Sequence, residues 1–178
     1  MVVPAEKEPQ SARGYFELFQ LEPCFDLDVE VLGQRFRTLQ REFHPDRYAG
    51  RPASEQRVAA QLSADINEAF DALRDPVRRA GYLLERQGLD LAKLERTPVA
   101  GDFLIQQMQL RERLEDANPE RRDAFGELQR EIGLLLDTEF SRFRRAMADN
   151  QHTEAGIAWV HLLYLEKLRL ELARKEAT

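Results

Sequence analysis

The sequence predicts an all-α protein built from two helical units. The first is an antiparallel hairpin with flanking helices, and the second is a three-helix bundle. Three observations carry this. Apolar residues recur at spacings of three and four over most of the 178 residues, the period of a helix with one buried face. No segment shows the alternation of a half-buried strand. Gly, Pro, Asp and Asn fall between the periodic stretches, where helices start and stop.

Residues 1–12 are polar with two prolines and no apolar core, which predicts a flexible tail and not a secretory signal. Tyr15, Phe16, Leu18 and Phe19 predict a short helix that ends near Leu21-Glu22-Pro23. Asp28 is placed to cap a second helix, with Glu30 in its first turn. Leu32, Phe36, Leu39 and Phe43 form its buried stripe, and Arg37 and Arg41 lie opposite. Pro45 disfavours the α region for His44 and ends that helix. His44 and Asp46 are therefore expected on an exposed loop, which suits recognition better than packing. A loop over 49–53 leads to a third helix with Ser54 as its cap and Val58, Leu62, Ile66, Ala69, Phe70 and Leu73 as its stripe. Asp75-Pro76 restarts a helix with Ala80, Leu83 and Leu84 inward, and Gly88 stops it. The first domain spans 13–87.

Residues 88–98 hold Leu89, Leu91 and Leu94 among charges and predict a packed connector between the two domains, not a flexible linker. The bundle spans 99–176. Asn118-Pro119 reads as a helix start, and Phe125, Leu128, Ile132, Leu135, Leu136, Phe140, Phe143 and Met147 continue an apolar stripe. Asp149-Asn150-Gln151 is a turn. Thr153 is placed to cap a last helix carrying Ile157, Val160, Tyr164 and Leu168, with Trp159 and Leu163 nearby.

The helix over 102–116 has two apolar faces. At about 100° per residue, Leu110 and Leu114 fall within roughly 20° of Phe103. Leu104, Met108 and Ile105 lie about 100°, 140° and 200° round from it, with Glu112 and Asp116 beside them. A surface helix is polar there. Either the helix is covered on both sides, or it exposes an apolar patch with an acidic rim, the mark of a protein-binding surface.

Net charge −6 argues against nonspecific nucleic-acid binding, which depends on neutralising phosphates. A single cysteine, Cys24, excludes an intrachain disulfide, and three scattered histidines suggest no metal site. Cys24 reads as a small packing residue near a loop. No apolar run approaches the ~20 residues of a membrane span, so a cytoplasmic protein is expected.

The order Tyr15-Phe16-Glu17-Leu18-Phe19, the arginine-bearing helix, His44-Pro45-Asp46-Arg47, Ile66-Asn67-Glu68-Ala69-Phe70 and Asp75-Pro76 resembles a J-domain, the module that stimulates ATP hydrolysis by DnaK-type chaperones. Phe103-Leu104-Ile105-Gln106-Gln107-Met108-Gln109-Leu110-Arg111-Glu112 and Tyr164-Leu165-Glu166-Lys167-Leu168 extend the resemblance to the HscB family of J-type co-chaperones in iron–sulfur cluster assembly. That resemblance implies a J-domain contacting the DnaK-like chaperone HscA through His44, Pro45, Asp46, Arg37, Arg41 and Arg47. It implies a bundle that binds the iron–sulfur scaffold IscU through Leu104, Ile105, Met108, Glu112, Asp116 and Tyr164. Gln109 stands where the family often has Glu. No cofactor, catalytic residue, nucleic acid or membrane is implied.

Two other classes compete. An enzyme would use His44 and Asp46 as base and orienter, but Pro45 makes that hydrogen bond awkward, and no nucleophile or phosphate loop is apparent. A nucleic-acid binder would use Arg35, Arg37, Arg41 and Arg47, against the net charge and without interleaved aromatics.

Overall fold

The computed structural model describes residues 14–177, which contain eight α-helices and no strand. The tail expected at 1–12 lies outside the described residues. The chain divides into two compact units between Arg79 and Ala80, inside the helix Pro76–Arg86. The residue pattern had placed the boundary after that helix, at 87.

In the first unit, α1 (Tyr15–Leu18) buries Phe16 and, just past its end, Phe19. Arg35 donates to the carbonyls of Phe19 (2.6 Å) and Gln20, which the end of α1 leaves without helical partners. Arg35 is thus committed to the fold and does not join Arg37 and Arg41 on a basic face. α2 (Val29–Phe43) starts at Asp28, whose carboxylate accepts from the amides of Glu30 (2.9 Å) and Val31 (3.1 Å). α3 (Ala53–Arg74) runs antiparallel to it. Phe36 stacks on Phe70 with centroids 3.9 Å apart, and Gln40, a turn further along α2, donates to Asn67, a turn back along α3 (2.7 Å).

Several local expectations fail in this unit. Ser54 is not the cap: α3 begins at Ala53 behind Pro52, with no side-chain cap. Val58 is 60% exposed, and the buried position is Ala59. Ala59, Ile66 and Leu73 repeat every seven residues, and Val58 lies about 100° off that line. Cys24 is exposed, and the adjacent Phe25 packs instead. α4 (Pro76–Arg86) follows expectation, with the Asp75 carboxylate accepting from the amides of Val77 (2.8 Å) and Arg78 (2.9 Å). Gly88 follows it with a φ of 81°, a conformation that glycine adopts without strain.

In the second unit the connector contains a helix, α5 (Leu91–Arg96), capped by the Asp90 carboxylate on the Lys93 amide (3.1 Å). The bundle is α6 (Gly101–Glu115), α7 (Arg122–Ala148) and α8 (His152–Glu176). α6 runs parallel to α8, because Phe103 meets His161, Arg111 meets Glu171 (3.8 Å) and Lys175 reaches the carbonyl of Leu114. α7 runs antiparallel to α8, with Arg142 bonded to Glu154 (2.7 Å) and Glu139 to His161 (3.1 Å). Burial alone would lower the pKa of Arg142, but the hydrogen bond to Glu154 and the charges of Glu139 and Glu154 hold it above the ordinary arginine value.

Two glycines mark close packing on α8. A Cβ at Gly81 would stand 3.0 Å from Nε1 of Trp159, and one at Gly156 would stand 3.0 Å from a Leu94 methyl. The connector therefore packs on α8. Neither Asn118 nor Thr153 starts a helix. Asn118 accepts from the Glu120 amide (2.9 Å) in a turn before α7, and α8 begins at His152 without a side-chain cap. Of the apolar series on α8, Val160 and Leu168 are buried and Ile157 and Tyr164 are exposed; Ala155, Ala158, Trp159, Leu162 and Leu165 are buried as well, because α5, α6 and α7 all pack on it. No helix among the described residues is long and apolar enough to cross a membrane.

Candidate functional site

Each unit carries one candidate surface. In the first, α2 ends at His44, whose extended backbone (φ −62°, ψ 129°) turns the chain out of the helix. The expected loop is a short 3-10 helix, Pro45–Tyr48. His44 caps it: its Nδ1 accepts from the Asp46 amide (3.3 Å), and its carbonyl accepts from the Arg47 amide (3.0 Å). The His44 and Asp46 side chains both project into solvent, Nδ1 and Oδ2 being 3.6 Å apart, too long for a hydrogen bond. The tripeptide is thus a preformed, exposed turn rather than a loose one.

Arg47 donates to the Arg41 carbonyl (2.9 Å) at the C-terminal end of α2, and Arg41 folds back on the Arg37 carbonyl (3.2 Å). Positive charge there also suits the helix dipole. None of Arg37, Arg41 and Arg47 pairs with a carboxylate among the described residues, so three exposed cations stand together beside His44-Pro45-Asp46. Next to them, Phe43, Tyr48, Val58 and Leu62 line a shallow apolar crevice of about 260 Å³. The crevice exists because Val58 faces out, which the stripe pattern missed.

In the second unit, α6 settles which of its two faces is covered. Phe103, Leu110 and Leu114 are buried against the bundle. Leu104, Ile105 and Met108 remain 46%, 58% and 65% exposed. Ile105 and Met108, with Gln109, Arg111, Glu112 and Glu115, line a groove of about 510 Å³. The rim carboxylates differ. Glu115 lies 3.7 Å from Arg111, whereas Glu112 and Asp116 have no side-chain partner among the described residues. Tyr164 of α8 is exposed and tilts against Phe103 (centroids 6.2 Å apart), so it borders the α6 face.

Two features that hold α6 in place were invisible in the sequence. Lys175 donates to the carbonyls of Leu114 (2.7 Å) and Glu115 (2.8 Å), satisfying the C-terminal end of α6 from another helix. The other is the flat stack of His161 on Phe103, with centroids 3.6 Å apart.

Comparison with known proteins settles the family. The family described as the HSCB C-terminal oligomerisation domain matches residues 99–173. A co-chaperone protein HscB homolog of Photobacterium profundum is 36% identical over 169 residues, covering 93% of this chain and 98% of that protein. The chain belongs to the HscB co-chaperone family. A homolog from Neisseria meningitidis is 37% identical over 160 residues, with 89% of this chain and 96% of the relative covered. The solved structure of chaperone HscB from Vibrio cholerae matches with a TM-score of 0.83 at 33% identity, over 92% of this chain and 98% of that one. Human co-chaperone HscB, at 22% identity, shares the fold with a TM-score of 0.88, over 99% of this chain and 94% of that one. The family match thus covers both units, the J-like hairpin and the helical bundle.

Proposed function

We propose that this HscB-family chain has no chemistry of its own and acts as an adaptor in iron–sulfur protein maturation in the cytoplasm. Its first unit stimulates ATP hydrolysis by the DnaK-like chaperone HscA, and its bundle delivers the scaffold IscU to it. The observation that carries the reading is α6, anchored by Phe103, Leu110 and Leu114 yet exposing Leu104, Ile105 and Met108 beside two unpaired carboxylates. A helix so held is a docking surface. His44-Pro45-Asp46 and the three unpaired arginines suit an acidic partner surface. Stimulation is then a shift of the partner towards its hydrolysing state, which requires tighter contact with that state.

An enzyme reading is disfavoured by geometry. His44 Nδ1 already accepts a backbone amide and lies 3.6 Å from Asp46, so Asp46 does not orient it. Single-turnover ATP hydrolysis by HscA, with and without this protein and the scaffold, tests the proposal. Stimulation by the protein that rises further with scaffold is expected, and no change in rate refutes it.

A further inference from the structure

The interior of the bundle contains one buried histidine among aliphatic and aromatic side chains. His161 is buried, surrounded along α8 by the buried Ala158, Leu162 and Leu165. A buried imidazole costs free energy that an aliphatic side chain of similar size would not, unless its polar atoms are paired. Here the pairing is half made. Nδ1 lies 3.1 Å from Oε1 of Glu139, and since a carboxylate only accepts, that contact places the proton on Nδ1. Arg142 Nη1 lies 3.4 Å from the same nitrogen and 3.4 Å from Oε2 of Glu139, so it pairs with that carboxylate while the shorter Glu139 contact sets the tautomer. Nε2 is buried without a hydrogen-bond partner among the described residues. Packing stability alone does not explain this residue.

Its ring does one definite thing. Glu139 pins one edge of it, and the pinned ring presents one plane to α6. Phe103 lies on that plane with centroids 3.6 Å apart and 2° between the rings, and Tyr164 closes on Phe103 from α8 at 57°. Phe103 directly precedes Leu104 and Ile105. A rotation of α6 by one residue, about 100°, would turn part of the apolar patch into the bundle. Aliphatic cores tolerate such alternatives, losing uniqueness before stability, whereas buried polar groups can select one register.

We infer that His161 is a positioning residue, whose pinned ring seats Phe103 and so fixes the rotation of α6 that presents Leu104, Ile105 and Met108 to the scaffold. The inference rests on the docking role proposed above for α6. It separates stability from docking, because an aliphatic replacement keeps the core filled and removes the seat, while Glu139 keeps its ion pair with Arg142 (3.4 Å).

The test uses the full chain with three variants: His161→Leu, His161→Asn and the triple Leu104→Ala/Ile105→Ala/Met108→Ala. His161→Asn retains a donor near Nδ1 but has no ring. Thermal melts, calorimetric titration of IscU and NMR shifts of the Phe103 ring and the Leu104 and Ile105 amides are recorded for each. His161→Leu is expected to melt at or above the wild-type temperature, to bind IscU at least tenfold more weakly, and to lose the ring-current displacement of the Phe103 protons. His161→Asn is expected to bind as weakly as His161→Leu. Binding within twofold of wild type by either variant overturns the inference, as does a loss of binding that only follows a fall in melting temperature. If wild type fails to bind IscU, or the triple variant binds as well as wild type, the docking role of α6 fails instead. The NMR arm then still decides the positioning, since unchanged Leu104 and Ile105 amide shifts in His161→Leu overturn it and displaced shifts support it.

Discussion

Truncating Leu104, Ile105 and Met108 to alanine together separates a docking patch from a core. These side chains are 46%, 58% and 65% exposed. Full burial of such a side chain is worth about 1.5–3 kcal/mol, so the buried fraction of each contributes at most roughly 0.5–1.6 kcal/mol to the isolated fold. Alanine is also a slightly better helix former, which offsets part of that loss. Docking would bury what is now exposed. Apolar anchors at the centre of an interface cost on the order of 2 kcal/mol or more when removed, about 30-fold in Kd. The expected result is therefore weak IscU binding by calorimetry, with a drop in melting temperature that is smaller per side chain removed than a core truncation gives. Chaperone stimulation without scaffold should be normal, because the first unit is untouched. Leu110, 1% exposed on the same helix, is the control. Leu110→Ala should cost about 2–5 kcal/mol, which for a unit of this size lowers the melting temperature by at least ~8 °C. A triple variant that melts early and binds normally once folded refutes the reasoning, since the patch would then be core.

Five further outcomes are expected. His44→Gln or Asp46→Asn should abolish stimulation of the chaperone ATPase with the melting temperature unchanged, because both side chains are exposed; a large drop in melting temperature would instead make them structural. Arg37→Glu with Arg41→Glu should slow association with the chaperone, measured by stopped flow, and the difference should shrink as salt rises, since exposed charges act mainly by steering. Lys175→Met should destabilise the bundle by about 1.5–3 kcal/mol in denaturant melts, because it removes a charged donor from the carbonyls of Leu114 and Glu115. Gly81→Ala should cost about 1–3 kcal/mol, as its Cβ would press on the buried Trp159 ring. Gly156→Ala should be close to neutral by the same melts, because a Leu94 methyl can give way and alanine favours the helix.

Much of this protein was readable from local chemistry. Asp28 and Asp75 cap their helices as expected because a cap involves only the next two or three amides. The turn at His44-Pro45-Asp46 follows from proline's own sterics. The stripe Phe103, Leu110 and Leu114 is one helix's periodicity, and it is buried. What failed depends on neighbours distant in sequence. Val58 and Ala59 are adjacent, and only the line of α2 against α3 decides which is covered. The series Ile157, Val160, Tyr164 and Leu168 does not show that α8 is covered by three helices, which buries residues on several of its sides. Ser54 and Thr153 have capping chemistry but sit one residue inside their helices, which begin at Ala53 and His152 without a side-chain cap. The sequence alone therefore determined the helices other than α5, their order and both candidate surfaces. Tertiary structure decided which of α6's two apolar faces is free, because a 3.6-residue period marks a face as apolar without saying what meets it. His161 and Lys175, far along the chain on α8, hold that choice in place.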